Sequence, residues 1–156
     1  RAGSGPRHLA FHPNGRFAYV TTELGNTVVT CGYANGVLTP GKEQPATTAA
    51  SNGERNYPAE VVVSPDGRFV YVSNRGADNV TVFAVGADGQ LTPSSTTQCG
   101  GKYPRFIGLA PGGGYLFSAN QKSATVTTFA VDSSTGALNS VGTPLATPMP
   151  VCTVAL

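Results

Sequence analysis

The sequence predicts an all-β chain, a β-propeller of four-stranded antiparallel blades with about three blades plus one closing strand present. Three observations carry that prediction. Charged residues make up only 12% of the 156 residues, against 20 glycines and 12 prolines, so the chain is rich in turns and poor in helix-surface charge. No 11-residue window keeps a helical apolar period. A unit of about forty aligned positions recurs three times, and such a period marks a repeat architecture.

The copies are GPRHLAFHPNGRFAYVTTELGNTVVT from Gly5, YPAEVVVSPDGRFVYVSNRGADNVTVF from Tyr57 and YPRFIGLAPGGGYLFSANQKSATVTTF from Tyr103. The anchor prolines Pro6, Pro58 and Pro104 and the turn glycines Gly15, Gly67 and Gly113 share spacings of 52 and 46 residues. In each copy an apolar strand follows the proline (Leu9–Phe11, Val61–Val63, Ile107–Leu109). The turns HPNG, SPDG and APGG then suit tight antiparallel connections. A second strand is FAYV, FVYV or YLFS, and a third is TVVTCGY, NVTVFAV or TVTTFAV. The dipeptides NG, DG and TG lead to a short fourth strand beginning VLTP, QLTP or ALNS. The blades therefore span approximately 5–50, 57–99 and 103–147, with the extra residues of the first in Ala46 to Asn56. PVCTVAL, residues 150–156, reads as the leading strand of a further blade that closes a ring.

Three blades form an open arc with two uncovered apolar faces. The expectation is that the ring is completed by a homo-oligomer or by N-terminal blades outside this sequence. The net charge of +2 is too small and scattered for a nucleic-acid footprint. No apolar run is long enough to span a membrane. The chain opens on Arg1 in RAGSGP, without an initiator Met or signal peptide. Cys31, Cys99 and Cys152 lack metal-ligand spacing and read as half-buried strand residues, so zinc is not expected; no His/Asp/Cys cluster suggests another metal, and no cofactor is expected. Asn79-Val80-Thr81 is a glycosylation sequon. Low charge and a Thr- and Ser-rich composition would suit a secreted protein.

Superposing the copies separates scaffold from site. Pro, Gly, aromatic and Val columns repeat; the charges do not. After the proline stand Arg7, Ala59 and Arg105, then His8, Glu60 and Phe106. At the end of the second strand stand Glu23, Arg75 and Gln121, preceded by Thr22, Asn74 and Asn120. These columns fall where blade edges approach the channel mouth, and nonrepeating charge on repeating geometry points to a site. Arg7, Glu23 and Arg75 are equally compatible with a structural ion-pair network between blades. His12, in the slot of Ser64 and Ala110, reads as a turn residue.

GPRHLAFHPNGRFAYVTTEL, AEVVVSPDGRFVYVSNRG and MPVCTVAL resemble the lactonase family of seven-bladed propellers, aligned with its C-terminal half. That family includes bacterial 6-phosphogluconolactonases and fungal carboxy-cis,cis-muconate lactonising enzymes. The order PRH, E-L, AE…SNRG, P-C-V carries more of the likeness than the widely shared PDGR core. The resemblance implies metal-independent hydrolysis of a small-molecule lactone, a sugar-acid lactone of the 6-phosphogluconolactone type, and a cytoplasmic protein. It matches the family's catalytic arginines to Arg7 and Arg75 and its glutamate to Glu23; the family histidine belongs to a blade preceding Arg7. Glu23 would act as general base, with arginines binding the oxyanion and a substrate anion. His8, Glu60, Arg105, Asn74 and Asn120 are the expected substrate-binding residues. A muconate-type cycloisomerase and a noncatalytic binding or assembly propeller are the alternatives.

Overall fold

The computed structural model describes residues 1–47 and 53–153. Its strands form three four-stranded antiparallel sheets, each a meander. The first sheet contains β1 (Pro6–Phe11), β2 (Phe17–Thr22), β3 (Thr27–Ala34) and β4 (Val37–Pro45). The second contains β5 (Tyr57–Val63), β6 (Phe69–Arg75), β7 (Asn79–Val85) and β8 (Leu91–Gln98). The third contains β9 (Pro104–Leu109), β10 (Tyr115–Asn120), β11 (Thr125–Val131) and β12 (Leu138–Ala146). Strand order equals chain order in every sheet, and β5 packs between β1 and β9. This is a partial propeller whose leading strands lie innermost.

The first strands begin earlier than the apolar run alone suggests, at the anchor proline or the residue before it. A 3₁₀ turn at Gln121–Ser123, which turn grammar did not anticipate, joins β10 to β11. Of the predicted closing strand, residues 150–153 carry no strand assignment and 154–156 lie outside the described residues. Thr153 nevertheless lies beside β9: its Oγ1 would be 3.2 Å from a Cβ placed on Gly108. Residues 48–52, in the expected insertion of the first blade, also lie outside the described residues.

Burial follows from the stacking of sheets. Every residue of β6 is buried because a sheet covers each of its faces. Tyr19 and Val28 of the first sheet pack on Val61, Val70, Val72 and Phe83 of the second. The opposite face of the second sheet puts Tyr71, Val80 and Val82 against Ile107, Leu116 and Phe129 of the third. Each fully buried aliphatic or Phe side chain contributes about 1.5–3 kcal/mol. On the far face of the first sheet, Val20, Val29, Cys31 and Leu38 line a groove of about 300 Å³.

Two repeated contacts set the spacing between blades. Gly89 and Gly136, both at left-handed φ (+78° and +72°), lie against the rings of Phe17 and Phe69 in the preceding blade. A Cβ there would approach ring carbons to 2.6 and 2.5 Å, so both turns require glycine. Tyr19 donates from its hydroxyl to Gly89 O at 3.1 Å, across the same interface. Tyr71 occupies the equivalent place in the second blade, yet its buried hydroxyl has no partner. The β11–β12 turn is one residue longer than the β7–β8 turn, and Tyr71 lines a cavity of about 150 Å³ with Ser64, Asp66 and Ser133. Burial pushes both phenols up to about 12. Tyr19→Phe should therefore cost about 1 kcal/mol, whereas Tyr71→Phe should be neutral or stabilising. Equal losses in urea denaturation would show that the two hydroxyls are equivalent after all.

His12 Nδ1 accepts from Asn14 N at 3.1 Å and its Nε2 donates to Gly67 O at 3.0 Å, making it a clasp between blades. Asn79 of the sequon is fully buried, so the folded chain does not present it for glycosylation. The cysteines differ from the half-buried strand reading: Cys31 is buried in β3, Cys99 is buried just after β8, and Cys152 is exposed. Burial pushes the Cys99 thiol up to about 12, which makes it inert.

Candidate active site

The site is built by an irregularity that recurs in all three blades. In β1 the pairing steps from Pro6↔Thr22 to His8↔Thr21, leaving Arg7 unpaired. In β9 it steps from Pro104↔Asn120 to Phe106↔Ala119, leaving Arg105 unpaired. In β5 it steps from Pro58↔Asn74 to Val61↔Val72, so Ala59 and Glu60 together oppose Ser73. Each is a β-bulge of one extra residue, a device that bends a strand and re-aims side chains. Sequence grammar missed the bulges. The signal was the proline itself, which cannot donate to a ladder and is confined to edge strands and bulges.

The bulges help bring the nonrepeating charges together. Glu23 follows β2, where its backbone N–H donates to Gly5 O at 2.7 Å. Its Oε1 meets Arg75 Nη2 at 3.2 Å and its Oε2 meets Arg7 Nε at 3.6 Å. Arg75, only 3% exposed, is fixed by all three blades. It pairs with Glu23 of the first, donates to Tyr57 O and Pro58 O of the second at 3.2 Å each, and lies over the Tyr103 ring of the third at 5.3 Å. Tyr103 adopts a left-handed φ of +62°, with its N–H held by Asp78 Oδ1 at 2.8 Å. A non-glycine residue there is strained, and the Asp78 bond offsets part of that strain.

Beside this triad lies a second ion pair. His8 Nδ1 meets Glu60 Oε1 at 2.5 Å; the His8 side chain is 40% exposed and that of Glu60 6%. Glu60 Oε1 also accepts from Val61 N–H, and Ser73 Oγ accepts from Glu60 N–H. Glu60 Oε2 and Arg7 Nη1 are buried without hydrogen-bond partners. Burial raises the Glu60 carboxyl above the usual range, opposed by the charge of His8. Burial first, then the charge of Arg75, lowers the Arg7 guanidinium, while Glu60 and Glu23 act the other way. Arg7 thus senses both acids as well as Arg105, whose own side chain makes no ion pair among the described residues. The arrangement offers cations for an anionic substrate and two carboxylates for proton transfer.

Asn74 and Asn120 fall elsewhere. Both are fully buried. Asn74 Nδ2 lies within reach of Ala46 O, Val72 O, Asn79 Oδ1 and Thr81 Oγ1, while its Oδ1 accepts from Asn56. Asn120 repeats the pattern, with Cys99 O, Thr125 Oγ1 and Thr127 Oγ1 around its Nδ2. Each amide ties its own blade to the end of the preceding one. Expecting them to bind substrate passed over the rule that repeating residues are scaffold.

Comparison with known proteins agrees with this architecture. The family described as "Lactonase, 7-bladed beta-propeller" matches residues 1–155. A 6-phosphogluconolactonase of Bacillus subtilis is 35% identical over 96% of this chain, which covers 44% of that protein. The crystal structure of a putative 6-phosphogluconolactonase from Bacteroides fragilis superposes with a TM-score of 0.88 at 36% identity, covering 96% of this chain and 41% of that one. The periplasmic gluconolactonase PpgL of Pseudomonas aeruginosa gives 0.84 at 35% identity, covering 96% and 42%. The chain spans less than half the length of these relatives. With the blade repeat, the innermost leading strands and a family match across nearly every residue, this chain belongs to the lactonase family of seven-bladed β-propellers.

Proposed function

We propose that this chain supplies the catalytic wall of a propeller that hydrolyses a sugar-acid lactone bearing an anionic group, of the 6-phosphogluconolactone type. The observation that carries the reading is Glu23 held between Arg7 and Arg75, two guanidinium groups brought from different blades. Glu23 takes a proton from the attacking water. Arg7, whose side chain remains 17% exposed, stabilises the oxyanion that forms on the carbonyl oxygen. Arg105 clamps the substrate's phosphate or carboxylate through its fork of donors. Arg75, engaged by protein on several sides, positions Glu23. Likeness to named lactonases supports the same reaction class.

The reading includes completion of the ring, by a second copy or by further blades, over the groove beside Val20 and Val29. Native mass spectrometry identifies the completed particle, and proton release from 6-phosphoglucono-δ-lactone then tests the reaction. The expected kcat/KM, after subtraction of spontaneous hydrolysis, is at least about 10⁴ M⁻¹s⁻¹. Turnover of a carboxymuconolactone alone would move the assignment to a cycloisomerase. Turnover of neither lactone by a closed ring would leave a binding propeller.

A further inference from the structure

Among the residues of this chain, the triad leaves one step of lactone hydrolysis unassigned. When the tetrahedral intermediate collapses, the ring oxygen departs as an alkoxide unless it is protonated. Glu23 receives the water proton, and the two arginines beside it are not acids that give up a proton near neutral pH. The His8–Glu60 pair has no role in the scheme, although its construction is that of a held acid. Glu60 is 4% exposed and is fixed by its own backbone, whose N–H donates to Ser73 Oγ at 3.0 Å. Its Oε1 engages His8 Nδ1, which orients the ring. Nε2 of His8 has no partner among the described residues, and the side chain is 40% exposed. Of the other charges, Arg7 on β1 acts on Glu60, and Arg7 is neighboured in turn by Glu23 after β2, Arg75 on β6 and Arg105 on β9.

Resting on the lactonase reading, we infer that His8, held by Glu60, is the proton donor to the departing ring oxygen. The step balances. Water oxygen bonds to the carbonyl carbon as its proton passes to Glu23, and the carbonyl π pair moves to the oxyanion beside Arg7. Collapse restores the C=O bond and breaks the ring C–O bond, whose electron pair takes the proton from His8 Nε2. The hydroxy acid leaves, and the proton on Glu23 returns to His8 through solvent. Glu60 is a positioning residue: its carboxylate keeps the proton on the pair and turns Nε2 outward.

The test uses the completed propeller, two lactones and two variants. δ-Gluconolactone has an alkoxide leaving group that needs protonation. Dihydrocoumarin has a phenolate that does not. His8→Gln should lower kcat/KM by about 100-fold on the first and less than about tenfold on the second. Glu60→Gln should move the alkaline limb of the pH profile to lower pH, because the pair loses the charge that retains its proton. Equal losses on both lactones, or unchanged pH limbs in both variants, would overturn the acid assignment while leaving the lactonase reading intact. No turnover of δ-gluconolactone, 6-phosphoglucono-δ-lactone or dihydrocoumarin by the wild-type ring would overturn both.

Discussion

Glu23→Gln in the completed ring is expected to lower kcat/KM for the sugar lactone by about 10²–10³-fold, the usual contribution of a positioned general base. The amide keeps the size of the side chain but removes the oxygen that accepts the water proton. It also turns a nitrogen donor towards either Arg7 or Arg75, which have only donors to offer. Arg75 is buried, so losing its counter-charge destabilises the fold as well, by about 1–3 kcal/mol. Glu23 itself is about one-third exposed, and solvent screening keeps that cost towards the lower end. Initial rates must therefore be read with thermal denaturation of the same samples. A rate unchanged per folded molecule would remove Glu23 from the chemistry and leave a structural ion pair.

Asn74→Ala carries the largest expected effect on stability, about 3–5 kcal/mol. The substitution leaves Ala46 O, Asn79, Thr81 and Asn56 facing a hole that excludes solvent. Each stranded buried polar group costs about 1–3 kcal/mol, and partial re-pairing among them sets the range. Asn120→Ala should act in the same direction, since its amide joins Cys99 O to two threonines. Urea unfolding of both variants provides the measurement. A loss below about 1 kcal/mol at Asn74, together with a raised KM, would restore the substrate-binding role assigned from position alone.

The strand pattern was legible because it is local. Short apolar runs, Pro–Gly turns and the threefold recurrence marked the four strands of each blade; NVTVFAV and TVTTFAV coincide with β7 and β11 residue for residue. The departure from repetition also pointed at Arg7, Glu23, Arg75 and Glu60, which the structure gathers. What failed was the step from column to orientation. Thr22, Asn74 and Asn120 share a column one residue from the charges, but successive strand residues face opposite sides, so the neighbours of a site residue point into the scaffold. Burial of Asn79 was likewise invisible in a sequon read as a string of letters.

By itself the sequence determined the class, the repeat and the identity of the charges, because strand period and turn chemistry act over a few residues. Only the tertiary structure decided which charges meet. Glu23 and Arg75 come from different sheets, and His8 and Glu60 likewise. Their approach depends on how far each blade is rotated from the last and on bulges that turn Arg7 and Arg105 out of register. Those quantities follow from packing across blade interfaces, such as Gly89 on Phe17 and Gly136 on Phe69, where residues far apart in sequence set the spacing.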